Sequence, residues 1–237
     1  MFAIFCGLVV ASLMVRLGFW QLDRATQKKQ LHEAFTERAN APRLPIESAS
    51  TSNVAGQLWR PALLTGAPLT TVLLLDNRVR DGLPGYEVLT PVRLPDERTV
   101  LLNRGWLQAP SRRDQWPTVS PVATLSDVHV RIAPSPSTGI RLAAFSPERG
   151  PDPFWRIQAI DFAALSSTLG LPLEPYQLLL DADQPDGYDR VWALPDPSSA
   201  KHEAYAFQWF AMAFALMSLT VYYGFFRPKP TTPPATP

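Results

Sequence analysis

Residues 205–226 read YAFQWFAMAFALMSLTVYYGFF, a run of 22 positions without a charged side chain. Lys201, His202 and Glu203 lie just before the run, and basic residues follow it at Arg227 and Lys229. At about 1.5 Å per residue, a helix of this length reaches roughly 33 Å, enough to cross a hydrocarbon core of about 30 Å. Lipid offers no hydrogen-bond partner to backbone amides, so the sequence predicts a transmembrane helix over 204–226.

A second apolar run lies at the other end of the chain. Residues 2–22 contain one charged side chain, Arg16, which is close enough to the end of the run to snorkel toward the head groups. No basic residue precedes the run and no small-residue cleavage site follows it, so we expect a retained span rather than a cleaved signal peptide. Small residues recur every four positions at Ala3, Gly7 and Ala11. This spacing would allow another helix to approach closely.

Two spans place both termini on the same side of a membrane and residues 23–203 on the other. The basic residues after the second run favour a cytoplasmic C-terminus, whereas Arg24, Lys28 and Lys29, directly after the first run, argue the other way. Long domains are translocated largely regardless of charge, so we give the tail more weight. We therefore expect an extracytoplasmic domain at 23–203 and a disordered, proline-rich cytoplasmic tail at 227–237.

The segment between the spans has the pattern of β-strands. Residues 71–78, 86–94 and 99–107 are strand-like and joined by short turns, which predicts an antiparallel meander. Pro91, inside the second of these strands, indicates an edge or a bulge. The remaining predicted elements are an amphipathic stem at 25–39, a loop at 40–53, strands at 123–132 and 175–182, and a helix at 160–170 between Asp161 as N-cap and Gly170. The predicted fold class is two transmembrane α-helices flanking a mostly antiparallel β domain with a small helix.

Composition and motifs exclude several functions. The single cysteine, Cys6, lies in the first span, so no disulfide can form within the chain. A net charge of +1 without basic runs interleaved with aromatics argues against nucleic acid as a partner. No nucleophile elbow, zinc-protease motif or phosphate loop is present, so we expect no enzymatic activity. DADQPDGYD at 181–189 is similar to a calcium loop, but Pro185 takes a ligand position and a polar turn is the better interpretation.

Arginines and histidines are the remaining candidates. Arg78 and Arg104 each follow an apolar strand, where they could bind an anion or simply form a salt bridge within the domain. Asn103 to Trp106 (NRGW) could be a polar site, or a strand that ends in an Asn/Gly turn with Trp106 in the core. His32 lies in the charged stem and His129 in an alternating strand, so both are most simply surface or strand residues.

His202 differs from the other histidines in its position at the membrane interface. Helical spacing puts it on one stripe with Ala206, Trp209 and Ala213. The two alanines of this stripe leave room for a flat group. A neutral imidazole at this position is a candidate haem-iron ligand. The alternative is an interfacial histidine that hydrogen-bonds to head groups or to the domain.

Three segments together resemble the Surfeit locus protein 1 family of cytochrome c oxidase assembly factors. They are LGFWQLDRATQKK at the end of the first span, the central stretch with G-x-P-G-Y followed by N-R-G-W, and HEAYAFQWF at the start of the second span. The resemblance covers the whole architecture. PDER at 95–98 replaces the family's usual aspartate-glycine turn, and His129 stands where members often have glycine.

The resemblance implies a non-enzymatic assembly factor that binds haem a and aids its insertion into oxidase subunit I, with haem a synthase as a partner. Carried over by motif, the haem-binding candidates are His202 as iron ligand, with Tyr205, Trp209, Trp20, Gln21 and Arg24. Arg24 or Arg16 could meet the propionates. The other motif positions are Gly85, Tyr86, Asn103, Arg104, Gly105 and Trp106.

Two further functions remain open from the sequence. The chain could be a membrane-tethered scaffold that binds nascent oxidase subunits without touching haem. It could also be an anchored enzyme, although no catalytic cluster is visible. No mitochondrial transit segment is visible either, so the expected location is a bacterial inner membrane.

Overall fold

The computed structural model describes residues 2–49, 53–136, 145–192 and 199–226. The chain divides into two compact units, one formed by 1–34 with 195–237 and the other by 35–194. The tail predicted at 227–237 lies outside the described residues.

The helices are α1 Phe2–Ala39, α2 Val54–Gln57, α3 Phe162–Leu169 and α4 Ala200–Val221, with a 3-10 turn at Ile46–Ser48 and a π-helical end at Tyr222–Phe226. The strands are β1 Leu44–Pro45, β2 Pro61–Pro68, β3 Val72–Arg80, β4 Leu83–Arg93, β5 Thr99–Gln108, β6 Leu125–Ala133, β7 Glu148–Arg149, β8 Phe154–Ile157 and β9 Leu173–Leu180.

The two predicted spans are long apolar helices. Within the described residues, α1 and α4 are long and apolar enough by length and composition to cross a membrane. α1 continues without a break through the stem predicted at 25–39. With a β-rich domain and the small helix α3 between them, the predicted fold class is confirmed.

In the helical unit, α1 and α4 pack antiparallel through small residues. A Cβ added at Gly7 would lie 2.6 Å from Thr220 Oγ1, and one added at Gly18 would lie 2.6 Å from Phe210 Cε1. Ala11 is 3% exposed. Gly7 and Ala11 therefore confirm that small residues allow the helices to approach closely. The side chain of Ala3 is not among those that the structure describes.

Five strands of the β-rich unit close into a ring in the order β2, β6, β9, β5, β4, completed by pairing of Ala67 and Pro68 on β2 with Arg93 and Val92 on β4. β3, β8 and β7 continue the sheet outward from β4. The ring encloses a mainly apolar cluster whose largest members include Tyr176, Ile46, Leu64, Leu94 and Leu102, and a second cluster packs the sheet against α3. Val72, Leu74, Tyr86 and Val88 form a third cluster, so apolar side chains along most strands form three cores.

The predicted meander of β3, β4 and β5 is antiparallel as expected. Pro91 lies neither on an outer strand of the sheet nor at the register shift of the β4–β5 pair, which falls between Glu87 and Leu89, so both positions expected for it are wrong. β4 lies between two strands along its length. Its pairing with β3 ends at Leu89, and beyond that point Leu69 on the β2 side donates its N–H to Pro91 O at 2.8 Å. Pro91 stands where β4 changes its neighbour, which accounts for a strand residue without an N–H donor.

The sequence also missed some elements. The expected loop at 40–53 contains β1 and a 3-10 turn, and the short strands β7 and β8 were not predicted. The sheet is mostly antiparallel, as predicted, but β5 with β9, β3 with β8 and β1 with β2 pair parallel. The caps of α3 are confirmed: Asp161 accepts from Ala164 N at 3.1 Å, and Gly170 ends the helix at φ 64°.

Candidate functional site

The side chains of His202 and Gln21 meet between the two long helices. His202 Nδ1 lies 2.8 Å from Gln21 Oε1. An amide oxygen can only accept, so the hydrogen of this bond is carried by Nδ1. In the neutral ring, Nε2 is then unprotonated and presents a lone pair. Because α4 begins where the first apolar run of α1 ends, the antiparallel pairing brings these two motif residues together.

The other helix candidates lie close to this pair along their own helices. The Arg24 guanidinium lies 5.6 Å from the centre of the Trp20 ring and donates to Gln27 Oε1 at 2.9 Å. Tyr205 is 52% exposed and Trp209 is half-buried. Tyr205 and Trp209 follow His202 by three and seven positions, so all three share one face of α4.

The space expected over the small residues of α4 is not open. Ala206 and Ala213 are 1% and 3% exposed. α4 contacts α1 at His202, Phe210 and Thr220, which share this face, so α1 covers both alanines. A flat group cannot lie on this stripe, because the small residues allow the helices to approach instead.

In the β-rich unit, the central motif forms one packed structure. Gly85 lies directly under the Trp106 ring, since a Cβ at Gly85 would be 2.2 Å from Trp106 Cε2. The Trp106 indole N–H donates to Arg78 O at 2.7 Å, and Arg80 lies 5.6 Å from the ring centre. Trp106 is half-buried and β5 continues past it to Gln108, so the expectation that NRGW ends a strand in a turn is wrong.

Gly105 and Tyr86 also have structural roles. Gly105 adopts φ 109°, and a Cβ there would lie 2.7 Å from Asp189 O. Trp106 N donates to the same oxygen at 2.7 Å, so the segment after β9 pairs with β5 because Gly105 permits the approach. Tyr86 is buried, and Arg156 lies 5.6 Å from its ring centre.

A polar chain crosses the sheet through Asn103. Its Nδ2 donates to Glu87 Oε2 at 2.7 Å and to Gln177 Oε1 at 3.1 Å. On the other side of Glu87, Oε1 lies 3.4 Å from Arg78 Nε. Both Arg78 and Arg104 lie inside strands rather than after them, which corrects the sequence-based placement. For Arg78 the salt bridge within the domain is the alternative that the contacts support.

Arg104 differs from Arg78 because it is buried without a carboxylate partner among the described residues. It is 2% exposed, its Nε donates to Asp186 O and its Nη1 to Ser120 O, both at 2.9 Å. Its guanidinium lies 5.1 Å from the centre of the Tyr188 ring. Burial lowers the pKa of Arg104 from its usual value.

The acidic turn at 181–189 is organised by an arginine. Arg190 Nη1 donates to Asp181 O and Gln184 O, both at 2.7 Å. One ligand atom each of His129, Asp181 and Asp183 lies within 4.8 Å of the others, but Arg43 pairs with Asp181 at 3.2 Å. The pKa of Asp183 is lowered mainly by a hydrogen bond from Gln184. These contacts agree with the interpretation as a polar turn.

Sequence reasoning had a signal for the Gln21–His202 contact that it did not use. Two spans joined through one outer domain bring the end of the first close to the start of the second when they pair, so polar residues at those positions are potential partners. The burial of Arg104 had no comparable signal, because an arginine after an apolar run is usually exposed.

Comparison with known proteins shows similarity along most of the chain. The model of the SURF1 family matches residues 8–214. A SURF1-like protein of Rickettsia felis is 25% identical over 226 residues, which cover 91% of this chain and 94% of its own length. One of Rickettsia bellii is 26% identical over 220 residues, covering 89% and 86%. A SURF1-like protein of Dictyostelium discoideum is 31% identical over 99 residues, covering 38% and 37%.

Proposed function

Because the chain belongs to the SURF1 family, we propose that it is a membrane-anchored assembly factor of cytochrome c oxidase that binds haem a and aids its insertion into subunit I. The haem is cargo rather than a resident cofactor, and the protein performs no catalysis. The hydrogen bond between His202 Nδ1 and Gln21 Oε1 supports this proposal most directly, because it leaves the Nε2 lone pair available to an iron atom.

Gln21 acts as a positioning residue. A hydrogen bond to the distal ring nitrogen fixes the tautomer and orientation of a ligating histidine and raises its basicity. Gln21 supplies that bond from the other helix of the pair, so the ligand is held without a carboxylate that would add charge near lipid. His202 is half-buried, which leaves part of the ring accessible to an incoming group.

Aromatic and basic side chains near the pair suit the rest of the cargo. Trp20 and Tyr205 are about half exposed, at 48% and 52%, and offer apolar faces to a macrocycle at the membrane interface. Arg24, next to Trp20, and Arg16, further into the apolar run, carry the positive charge that would meet propionates. With Ala206 and Ala213 covered, the macrocycle lies on the outer surface of the helix pair.

The proposed location is a bacterial inner membrane, with both termini cytoplasmic and the β-rich unit periplasmic. The proposed partners are haem a synthase, which supplies the cargo, and oxidase subunit I, which receives it. The two apolar helices and the basic residues after α4 support this arrangement.

The test is the absorption spectrum of the purified protein after co-expression with the haem a biosynthetic enzymes. We expect a stoichiometric haem a spectrum for the wild type and for His32→Ala, and its loss in His202→Ala. Haem retained by His202→Ala would keep the cargo role and move the ligand elsewhere. Absence of haem from every protein, with synthase activity confirmed, would favour a scaffold that binds oxidase subunits without haem.

A further inference from the structure

A cavity of about 250 Å³ lies at one end of the five-stranded ring, where β2 ends. Most of its wall is apolar and comes from the turn after β2 and the loop before β6, at Pro68, Leu69, Val119, Pro121 and Val122. Two polar strand residues also line it, Thr90 on β4 and Arg104 on β5. The mouths of small barrels are frequent ligand sites, and apolar walls with a few polar groups are typical of them.

Thr90 and Arg104 belong to the interior face of their strands. Side chains alternate along a strand, so Thr90 shares a face with Val92 and Arg104 shares one with Leu102. Val92 and Leu102 are both fully buried in the cluster inside the ring. The two polar residues therefore continue the core lining up to the point where the cavity opens.

Arg104 forms no ion pair within the described part of the chain, although the Asp186 carboxylate and the Tyr188 side chain partly offset the effect of burial on its pKa. Its Nε and Nη1 donate to neutral backbone carbonyls, and the Asp186 carboxylate acts on the guanidinium without forming an ion pair with it. A buried cation normally has a counter-charge, since neutral acceptors satisfy its donors but leave its charge unbalanced. This arrangement fits an anion that arrives from outside.

Thr90 gives an independent indication of the same ligand. It is 3% exposed, and its hydroxyl has no hydrogen-bond partner among the described residues. Buried hydroxyls without a partner are rare because desolvation is then uncompensated. A carboxylate is an acceptor with several lone pairs, so one group could accept from Thr90 and balance Arg104.

We propose that this cavity binds a carboxylate carried on a short apolar group. The apolar wall suits the stem, and Thr90 and Arg104 suit the head group. The cavity volume is roughly that of eight waters at about 30 Å³ each, enough for a short-chain acid or the last residue of a polypeptide. The site lies wholly within the β-rich unit and does not depend on His202 or on haem.

The test is isothermal titration of the full chain in detergent micelles with butyrate and with N-acetylleucine, beside their neutral amides butyramide and N-acetylleucinamide. We expect the carboxylates to bind and the amides not to bind. Thr90→Val keeps the side-chain shape and should weaken binding about threefold or more, and Arg104→Gln about tenfold or more. Binding of N-acetylleucine alone assigns the site to a polypeptide C-terminus, and binding of butyrate alone assigns it to a free acid.

The inference is overturned if neither carboxylate binds, if an amide binds as well as its acid, or if both variants bind with unchanged affinity. Arg104 also bonds the backbone at two points, so Arg104→Gln could unfold. Thr90→Val breaks no hydrogen bond within the described residues. If Arg104→Gln unfolds, the carboxylate affinity of Thr90→Val alone decides whether the inference stands.

Discussion

The packing of Gly85 against Trp106 predicts that Gly85→Ala destabilises the β-rich unit. A methyl group at this position would lie 2.2 Å from Trp106 Cε2 and 2.3 Å from Nε1, far inside contact distance. The indole must therefore move away from the strand. This movement breaks the hydrogen bond that the indole N–H donates to Arg78 O at 2.7 Å.

Two contributions set the magnitude. Overpacking costs about 1–3 kcal/mol, and loss of one hydrogen bond costs about 0.5–1.5 kcal/mol. Together they reduce the free energy of unfolding by about 1.5–4.5 kcal/mol, a large share of the roughly 5–15 kcal/mol of a typical domain.

The assay is guanidinium unfolding of the full chain in detergent, with Gly85→Ala combined with Trp106→Leu in a double-mutant cycle. Removing the indole removes the clash, so Gly85→Ala should cost less than about 1 kcal/mol in the Trp106→Leu background. Gly82→Ala is the matched control in the same hairpin. Its Cβ would meet nothing within 4 Å, although φ 78° makes it strained, so Trp106→Leu should not rescue it. Additive costs for Gly85→Ala and Trp106→Leu would refute the reasoning.

Three further predictions concern the helix pair and a surface turn. Gln21→Leu should reduce haem a retention about tenfold, measured as the haem-to-protein ratio, while Gln21→Glu, which keeps an acceptor, should retain it. In a background without the native cysteine, the double variant Gly7→Cys, Thr220→Cys should form a disulfide on oxidation, because a Cβ at Gly7 would lie 3.5 Å from Thr220 Cβ. The control double variant Gly7→Cys, Phe210→Cys should form none. Hydrogen bonds from Arg98 lower the pKa of Asp96 below its usual value of 3.8. The ionised Asp96 therefore stabilises the fold above pH 3.8, and this contribution is lost as the pH falls through the lowered pKa. Asp96→Asn should therefore be less stable than wild type at pH 7, and equal stability of the two at that pH would contradict the assignment.

Much of the fold followed from local patterns. Uncharged runs of sufficient length predicted both long helices, and alternation with short turns predicted the meander. Alternation shows which residues share a face but not which strand lies beside which. The parallel pairing of β5 with β9 and the closure of β2 on β4 join distant segments, and no local signal specifies them. β7 and β8 have two and four residues, too few to show a period.

The candidate site was predictable to a smaller extent. His202 was evident from its position, whereas Gln21 entered only through the resemblance, since its value depends on a partner in the other helix. The sequence could not decide whether Arg78 binds an anion or forms a salt bridge, because the answer depends on Glu87 of the neighbouring strand β4, which pairs with it. The room expected over Ala206 was filled because small residues serve helix packing as readily as ligand binding.

The pairing of β5 with β9 has a consequence for synthesis of the chain. Leu173 comes 65 positions after Gln108, so at roughly 5–20 residues per second the ribosome needs about 3–13 s to supply the strand that covers β5. During that interval one side of β5 has open backbone donors and acceptors, the kind of exposed edge that attracts wrong partners. Leu180 completes the ring only 20 positions before α4 begins. Folding of the β-rich unit and emergence of the second apolar helix are thus nearly simultaneous, and delayed closure would expose both to aggregation at once.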